Sequence, residues 1–154
     1  MLQIPMEPTR FDGEDAIFRN LQYSLRDLEL VIACLFTGPG PLEYATPMLR
    51  EPPPDVGMLL SQDFASQWKR AIAANPAIHD GAVIANRRTL HDGYSIAGWS
   101  YRLFPPIAEC HSEPNRGSAH NSCMAMSQLG GIDAMYLVHQ KASLRFSRGS
   151  VTTL

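Results

Sequence analysis

Between residues 15 and 28, Ile17, Leu21, Leu25 and Leu28 recur at spacings of three and four, and Asp12 or Asp15 stands where a carboxylate can cap the amino end. The spacing predicts an amphipathic helix. It leads into Leu30-Val31-Ile32-Ala33-Cys34-Leu35-Phe36, an apolar run rich in β-branched residues and closed by Gly38-Pro39-Gly40-Pro41, which predicts a buried strand. A second helix is predicted from Ser61 as cap, with Asp63 in its first turn, through Gln67, Trp68 and Ile72 to the stop at Asn75-Pro76. Residues 82–85 and 94–103 read as an antiparallel hairpin around a turn at 86–93. A third helix opens at Ser118, carries Ser122, Cys123, Met126 and Leu129, and ends at Gly130-Gly131. Residues 134–138 and 144–147 form a last hairpin that turns near Lys141-Ala142. Helices and strands thus alternate along the chain, which predicts an α/β fold.

Two stretches break this pattern. Six of the twelve prolines lie between residues 38 and 54, so that segment is a surface excursion rather than a long regular element. Residues 105–117 mix Pro, Glu, His, Ser and Asn without period, a loop long enough to carry function. Residues 1–14 form an amino-terminal arm and residues 15–154 one domain, as the length of 154 residues also favours.

Composition narrows the classes. The formal net charge is −2 and the basic residues are scattered, with only short pairs such as Lys69-Arg70 and Arg87-Arg88, so no nucleic-acid polymer is expected as partner. The amino terminus lacks the basic and apolar regions of a signal peptide, and the longest apolar run, residues 28–36, is interrupted by Glu29. A cytoplasmic protein without membrane contact is expected. Cys34, Cys110 and Cys123 are odd in number and widely spaced, fitting neither a disulfide framework nor a zinc knuckle.

Two short segments could carry chemistry. In His79-Asp80-Gly81-Ala82-Val83-Ile84 a carboxylate and a glycine precede a strand. There the Asp can accept from a sugar hydroxyl or hold a divalent cation, and the glycine lets a ligand approach the backbone. In Arg116-Gly117-Ser118-Ala119-His120-Asn121-Ser122 a glycine and a hydroxyl open a helix, whose free N–H groups and dipole suit a phosphate. Taken singly, the first is an Asp-Gly turn and the second a plain Ser118 cap. A metal hydrolase was weighed on His79-Asp80, His91-Asp92, His111, His120 and His139. The His-Asp pairs flank a hairpin instead of lying on helices, no His-x-His or Cys-x-x-Cys occurs, and His91-Asp92-Gly93 is most simply a turn.

In order and spacing together, residues 79–149 resemble the diadenylate cyclase domain of the DisA amino-terminal type. Asp80-Gly81-Ala82 matches that family's Asp-Gly-Ala motif in full. Gly117-Ser118-Ala119-His120-Asn121 falls where Gly-Thr-Arg-His-Arg belongs, Ser127-Gln128 where Ser-Glu belongs, and Asp133-Ala134-Met135-Tyr136-Leu137-Val138 where the Asp-Ala strand belongs. The resemblance implies a central mixed β-sheet flanked by helices, with Asp80 and Ser118 brought to one face. It also implies nucleotide binding by Asp80, Gly81, Ala82, Gly117, Ser118, His120, Asn121 and Ser127, with Asp80 as the residue that would position Mg2+ or Mn2+ and, in an active enzyme, the attacking 3′ hydroxyl. Ala119 and Asn121 replace the two arginines that grip triphosphate, and Gln128 replaces a glutamate. The expected function is therefore a nucleotide- or dinucleotide-binding sensor, cut off from catalysis, in bacterial cyclic-dinucleotide signalling. Arg116 or Arg102 could supply a displaced charge, and the alternative is an active cyclase making cyclic diadenylate from ATP. An interaction module with an idle pocket is the third reading. Family members face each other as two subunits, so a homodimer is among the assemblies expected.

Overall fold

The computed structural model describes residues 10–106 and 117–154. Cys110, His111 and Arg116 lie outside them. Helix α1 spans Asp12–Gln22, strand β1 Leu30–Thr37, β2 Ala45–Pro47, α2 Phe64–Ala74, β3 Ala82–Arg87, β4 Ser95–Leu103, α3 Gly117–Met126, β5 Ile132–His139, β6 Ala142–Ser147 and β7 Ser150–Thr153, with a 3-10 turn at Pro76–His79. The strands make one seven-stranded sheet in the order β2-β4-β3-β1-β5-β6-β7. Only β1 and β3 run parallel; the other neighbouring pairs are antiparallel. The sheet is mixed and flanked by helices, as expected.

Helices cover both faces, which explains why the central strands read as apolar runs rather than alternating ones. On one face α1 and α2 bury Phe18, Leu21, Phe64 and Trp68 against Val31, Ala33, Leu35, Val83, Ala85, Tyr136 and Val138. Phe18 stacks on Tyr136 at 4.1 Å between ring centroids and meets Phe64 edge-on at 5.6 Å, so one aromatic tier ties both helices to β5. On the other face α3 places Cys123 and Met126 over Cys34, Ile84, Met135 and Phe146. Burial pushes the Cys123 thiol up to about 12 and holds the Cys34 thiol well above the usual thiol range, aided by Cys123 and Asp133. Both are inert core residues.

Local differences from the sequence pattern have physical causes. Helix α1 starts at Asp12 and stops at Gln22, well short of Leu28, which sits at φ 70 and is 97% exposed. Tight turns, Ser24 N–H to Leu21 O and Leu25 N–H to Gln22 O, reverse the chain so that it can enter β1. Asp15 does not cap the helix. It is buried, accepts from Tyr136 Oη at 2.7 Å and pairs with Arg145. Ser61 is likewise not the cap of α2: the cap position is Asp63, and Ser61 Oγ accepts from the Asp63 N–H at 3.3 Å in the preceding turn. Helix α3 ends at Met126, before Leu129. Strand β7 carries only exposed residues, so it has no burial alternation to announce it. It follows from a two-residue turn, Arg148 and Gly149, both at positive φ.

Candidate nucleotide site

Parallel pairing of β1 with β3, and antiparallel pairing of β1 with β5, bring the start of β3, the start of β1 and the end of β5 to one end of the sheet; Ile32 lies opposite Ala82 and Leu30 opposite His139. Asp80 and Gly81 stand at this end. Gly81 has φ +89, and a Cβ built there would lie 2.7 Å from Met48 Cε, 2.8 Å from Tyr101 O and 2.9 Å from Ser100 C. Only glycine fits. Ser100, itself buried at φ 60, donates from Oγ to Asp80 O at 2.5 Å and accepts from Arg50 Nε at 3.0 Å. This relay fixes the main chain of the Asp-Gly step while leaving the Asp80 side chain 69% exposed, with Arg50 Nη2 3.7 Å from its Oδ2.

Behind this lip lies a cavity of about 490 Å3 lined by Leu30, Ile32, Trp68, Ile72, Pro76, His79, Asp80 and Gly81, among others. The wall from β1 and α2 is apolar, and Glu29, His79 and Asp80 are the polar side chains of the lining. His79 Nδ1 is 2.5 Å from Pro76 O, so that nitrogen carries the proton and turns the ring back on its own segment. Ala82 is buried beneath.

The second motif lies on α3. Its carboxyl end is joined by residues 127–131 to the start of β5, at the end of the sheet opposite Asp80. Gly117 and Ser118 are exposed and Ala119 packs on the α3-side core. His120 is 7% exposed, with its ring edge-on to Phe146 at 4.9 Å. His120 Nδ1 and Asn121 Oδ1 are buried with no hydrogen-bond partner among the described residues. The cavity at Asp80 has β1 and α2 as its walls; α3 covers the other face of the sheet, so Ser118 is not brought to this cavity as the resemblance implied.

Other residues singled out in the sequence sit elsewhere. Ser127 is buried at the far end of α3, donating to Met124 O at 2.7 Å and accepting from Gly149 N–H at 3.1 Å, so its hydroxyl is committed within the protein. Gln128 is exposed beside it. Arg102 is exposed on β4 opposite Thr46 of β2. Asp92 closes a turn by accepting from Thr89 N–H at 3.1 Å and Thr89 Oγ1 at 3.0 Å. Among the described residues no three His, Cys, Asp or Glu side chains gather as a metal site, and Asp80 already faces a guanidinium. These residues do not fit a preformed Mg2+ or Mn2+ centre. Arg50 and Ser100 escaped sequence reading because each sits in a segment with no motif: one in the proline-rich excursion, the other mid-strand.

No protein-family model matches the chain, and no curated protein matches it either. Solved structures do. DacA from Staphylococcus aureus, a diadenylate cyclase, is similar over 91% of this chain and 87% of its own, with a TM-score of 0.56 and 15% identity. The fold is diadenylate cyclase-like. A structure described as the hypothetical membrane spanning protein from Bacillus cereus is similar over 93% of this chain with a TM-score of 0.62 and 14% identity, and the match spans 63% of that protein's length. Among the described residues no helix is long and apolar enough to cross a membrane.

Proposed function

We propose that this diadenylate cyclase-like chain is a nucleotide- or dinucleotide-binding sensor module that does not condense ATP. The observation that carries the reading is the pair Asp80 and Gly81 in the lining of the 490 Å3 cavity, with Arg50 3.7 Å from the Asp80 carboxylate. Its size suits a nucleoside. The exposed Asp80 carboxylate has lone pairs free for ribose hydroxyls, Gly81 admits the ligand to the backbone, and the apolar wall suits a base. Ser118, His120 and Asn121 lie on α3 over the other face of the sheet, so the Asp80 cavity by itself carries the reading.

Catalysis fails for want of charge. Ala119 and Asn121 stand where the resemblance places arginines, and each charge-assisted bond so lost is worth about 1.5–3 kcal/mol. Phosphoryl transfer rests on positioning and on stabilising developing charge, so the loss falls on the transition state. Binding by backbone donors and stacking gives micromolar affinity, about −8 kcal/mol. The module acts in the cytoplasm, in a homodimer or as a regulatory part of a larger assembly.

Calorimetry against ATP, AMP and cyclic dinucleotides tests this. Binding is expected in the micromolar range and is weakened by Asp80→Ala; if a nucleotide binds and this substitution does not matter, the site is misassigned. One observation favours a second reading, an active cyclase: Arg50 returns a guanidinium to Asp80. Cyclic product from ATP with Mg2+ or Mn2+, abolished by Asp80→Asn, would establish that reading instead.

A further inference from the structure

At the opposite end of the sheet lies a cleft of about 540 Å3 whose lining includes Arg10, Gln128, Gly130, Gly131, Asp133 and Arg148. Two guanidinia there stand against one carboxylate, and that carboxylate is already committed. Asp133 Oδ1 accepts from Arg10 Nη2 at 2.8 Å, while Oδ2 accepts from Thr37 Oγ1 at 2.5 Å and Tyr94 Oη at 2.7 Å. A third guanidinium, that of Arg87, stands 3.8 Å behind it. The remaining field in the cleft is positive.

The floor is backbone. Gly130 and Gly131 are exposed, Gly131 has φ +87, and a Cβ built at either would meet nothing within 4 Å, so a ligand can come close to the main chain here, while Gly131 O accepts from the Thr37 N–H at 3.2 Å. Arg148 is held over this floor. Ser127 O accepts from the Arg148 N–H at 3.1 Å and Ser127 Oγ from the Gly149 N–H at 3.1 Å, which clamps the β6–β7 turn to the end of α3. Arg10 approaches from the other wall, its side chain 44% exposed and bonded to Asp133 through one nitrogen.

We propose that this cleft is a phosphate-recognition site, separate from the Asp80 cavity and independent of the nucleotide reading above. Two guanidinium forks and a glycine backbone match a tetrahedral oxyanion with several acceptors better than a planar carboxylate. The cleft is far roomier than one oxyanion, so it takes phosphate either free or as the end group of a small phosphomonoester.

The test is amide NMR of the full chain titrated with inorganic phosphate and, separately, glycerol 3-phosphate, at constant ionic strength. A saturable shift at Gly130, Gly131 and Arg148 with Kd of about 1 mM or tighter is expected. Tighter binding of the ester assigns the site to phosphomonoesters; tighter binding of phosphate assigns it to the free ion. Arg148→Asn, a residue that tolerates the φ of 50 found there, should weaken binding about tenfold while the amide spectrum stays folded. Arg10→Ala should weaken it likewise, and Asp80→Ala should leave it unchanged. A linear, non-saturating shift, wild-type affinity in folded Arg148→Asn, or loss of binding in Asp80→Ala overturns the proposal.

Discussion

Asp80 and Asp133 are carboxylates at opposite ends of the same sheet, and they have opposite fates. Asp133 is 8% exposed and receives donors from Arg10, Thr37 and Tyr94 with Arg87 close by, so its charge is neutralised inside the fold. Burial raises the Tyr94 phenol above its usual range and the bond to Asp133 raises it further, so that phenol stays a donor at any ordinary pH. Asp80 instead has its main chain bolted by Ser100 and its side chain left in water beside one guanidinium. A buried carboxylate with all its acceptors filled holds elements together; one with free lone pairs at a cavity mouth is available to a ligand. The difference lies in the donors each tertiary environment supplies, since both residues precede or open a strand.

The largest effect that would break this contrast belongs to Asp133→Ala. Removing it takes the carboxylate from the Arg87 guanidinium, whose side chain is 12% exposed, and the acceptor from Thr37 Oγ1 and Tyr94 Oη, and costs about 3–5 kcal/mol in urea denaturation. A loss below about 1 kcal/mol would mean that the far end of the sheet does not rest on this carboxylate.

A smaller but still structural effect is expected at Gly81. In Gly81→Ala the methyl group must displace Met48 and the backbone at Ser100 and Tyr101, at a φ of +89 unsuited to L side chains. Strain of about 1–3 kcal/mol follows, and because the same shift disturbs the Asp80 lip, nucleotide affinity falls with stability. Retained affinity in a destabilised Gly81→Ala would separate the lip from the binding site.

The smallest stability effect sharpens the comparison. Asp80→Asn keeps the backbone bond to Ser100 and alters only an exposed side chain, so stability stays within about 0.5 kcal/mol of wild type while nucleotide binding weakens. A thermal midpoint lowered as much as by Asp133→Ala would make Asp80 a structural residue like its counterpart.

Much of the architecture was legible. The apolar run of β1, the hairpins β3–β4 and β5–β6, and the stop at Asn75-Pro76 all follow from local periodicity and turn chemistry, which act over a few residues and are visible in them, whereas α3 ends at Met126, short of the expected stop at Gly130-Gly131. Asp80-Gly81-Ala82 was legible for the same reason, since a glycine before a strand signals a backbone demand. The helix caps were misread because Asp12, Asp15 and Ser61 are good caps in isolation, and only the approach of Tyr136 and Arg145 turned Asp15 inward.

Sequence by itself determined the types of the longer elements and the glycine at Gly81, because hydrophobic period and allowed φ are properties of short segments. The tertiary structure alone decided that Arg50 and Ser100 support Asp80, that Ser127 serves the β6–β7 turn, and that Arg10, Thr37, Arg87 and Tyr94 converge on Asp133. Those partners lie up to 123 positions apart, and a hydrogen bond formed over a few ångströms leaves no period in the chain to announce it.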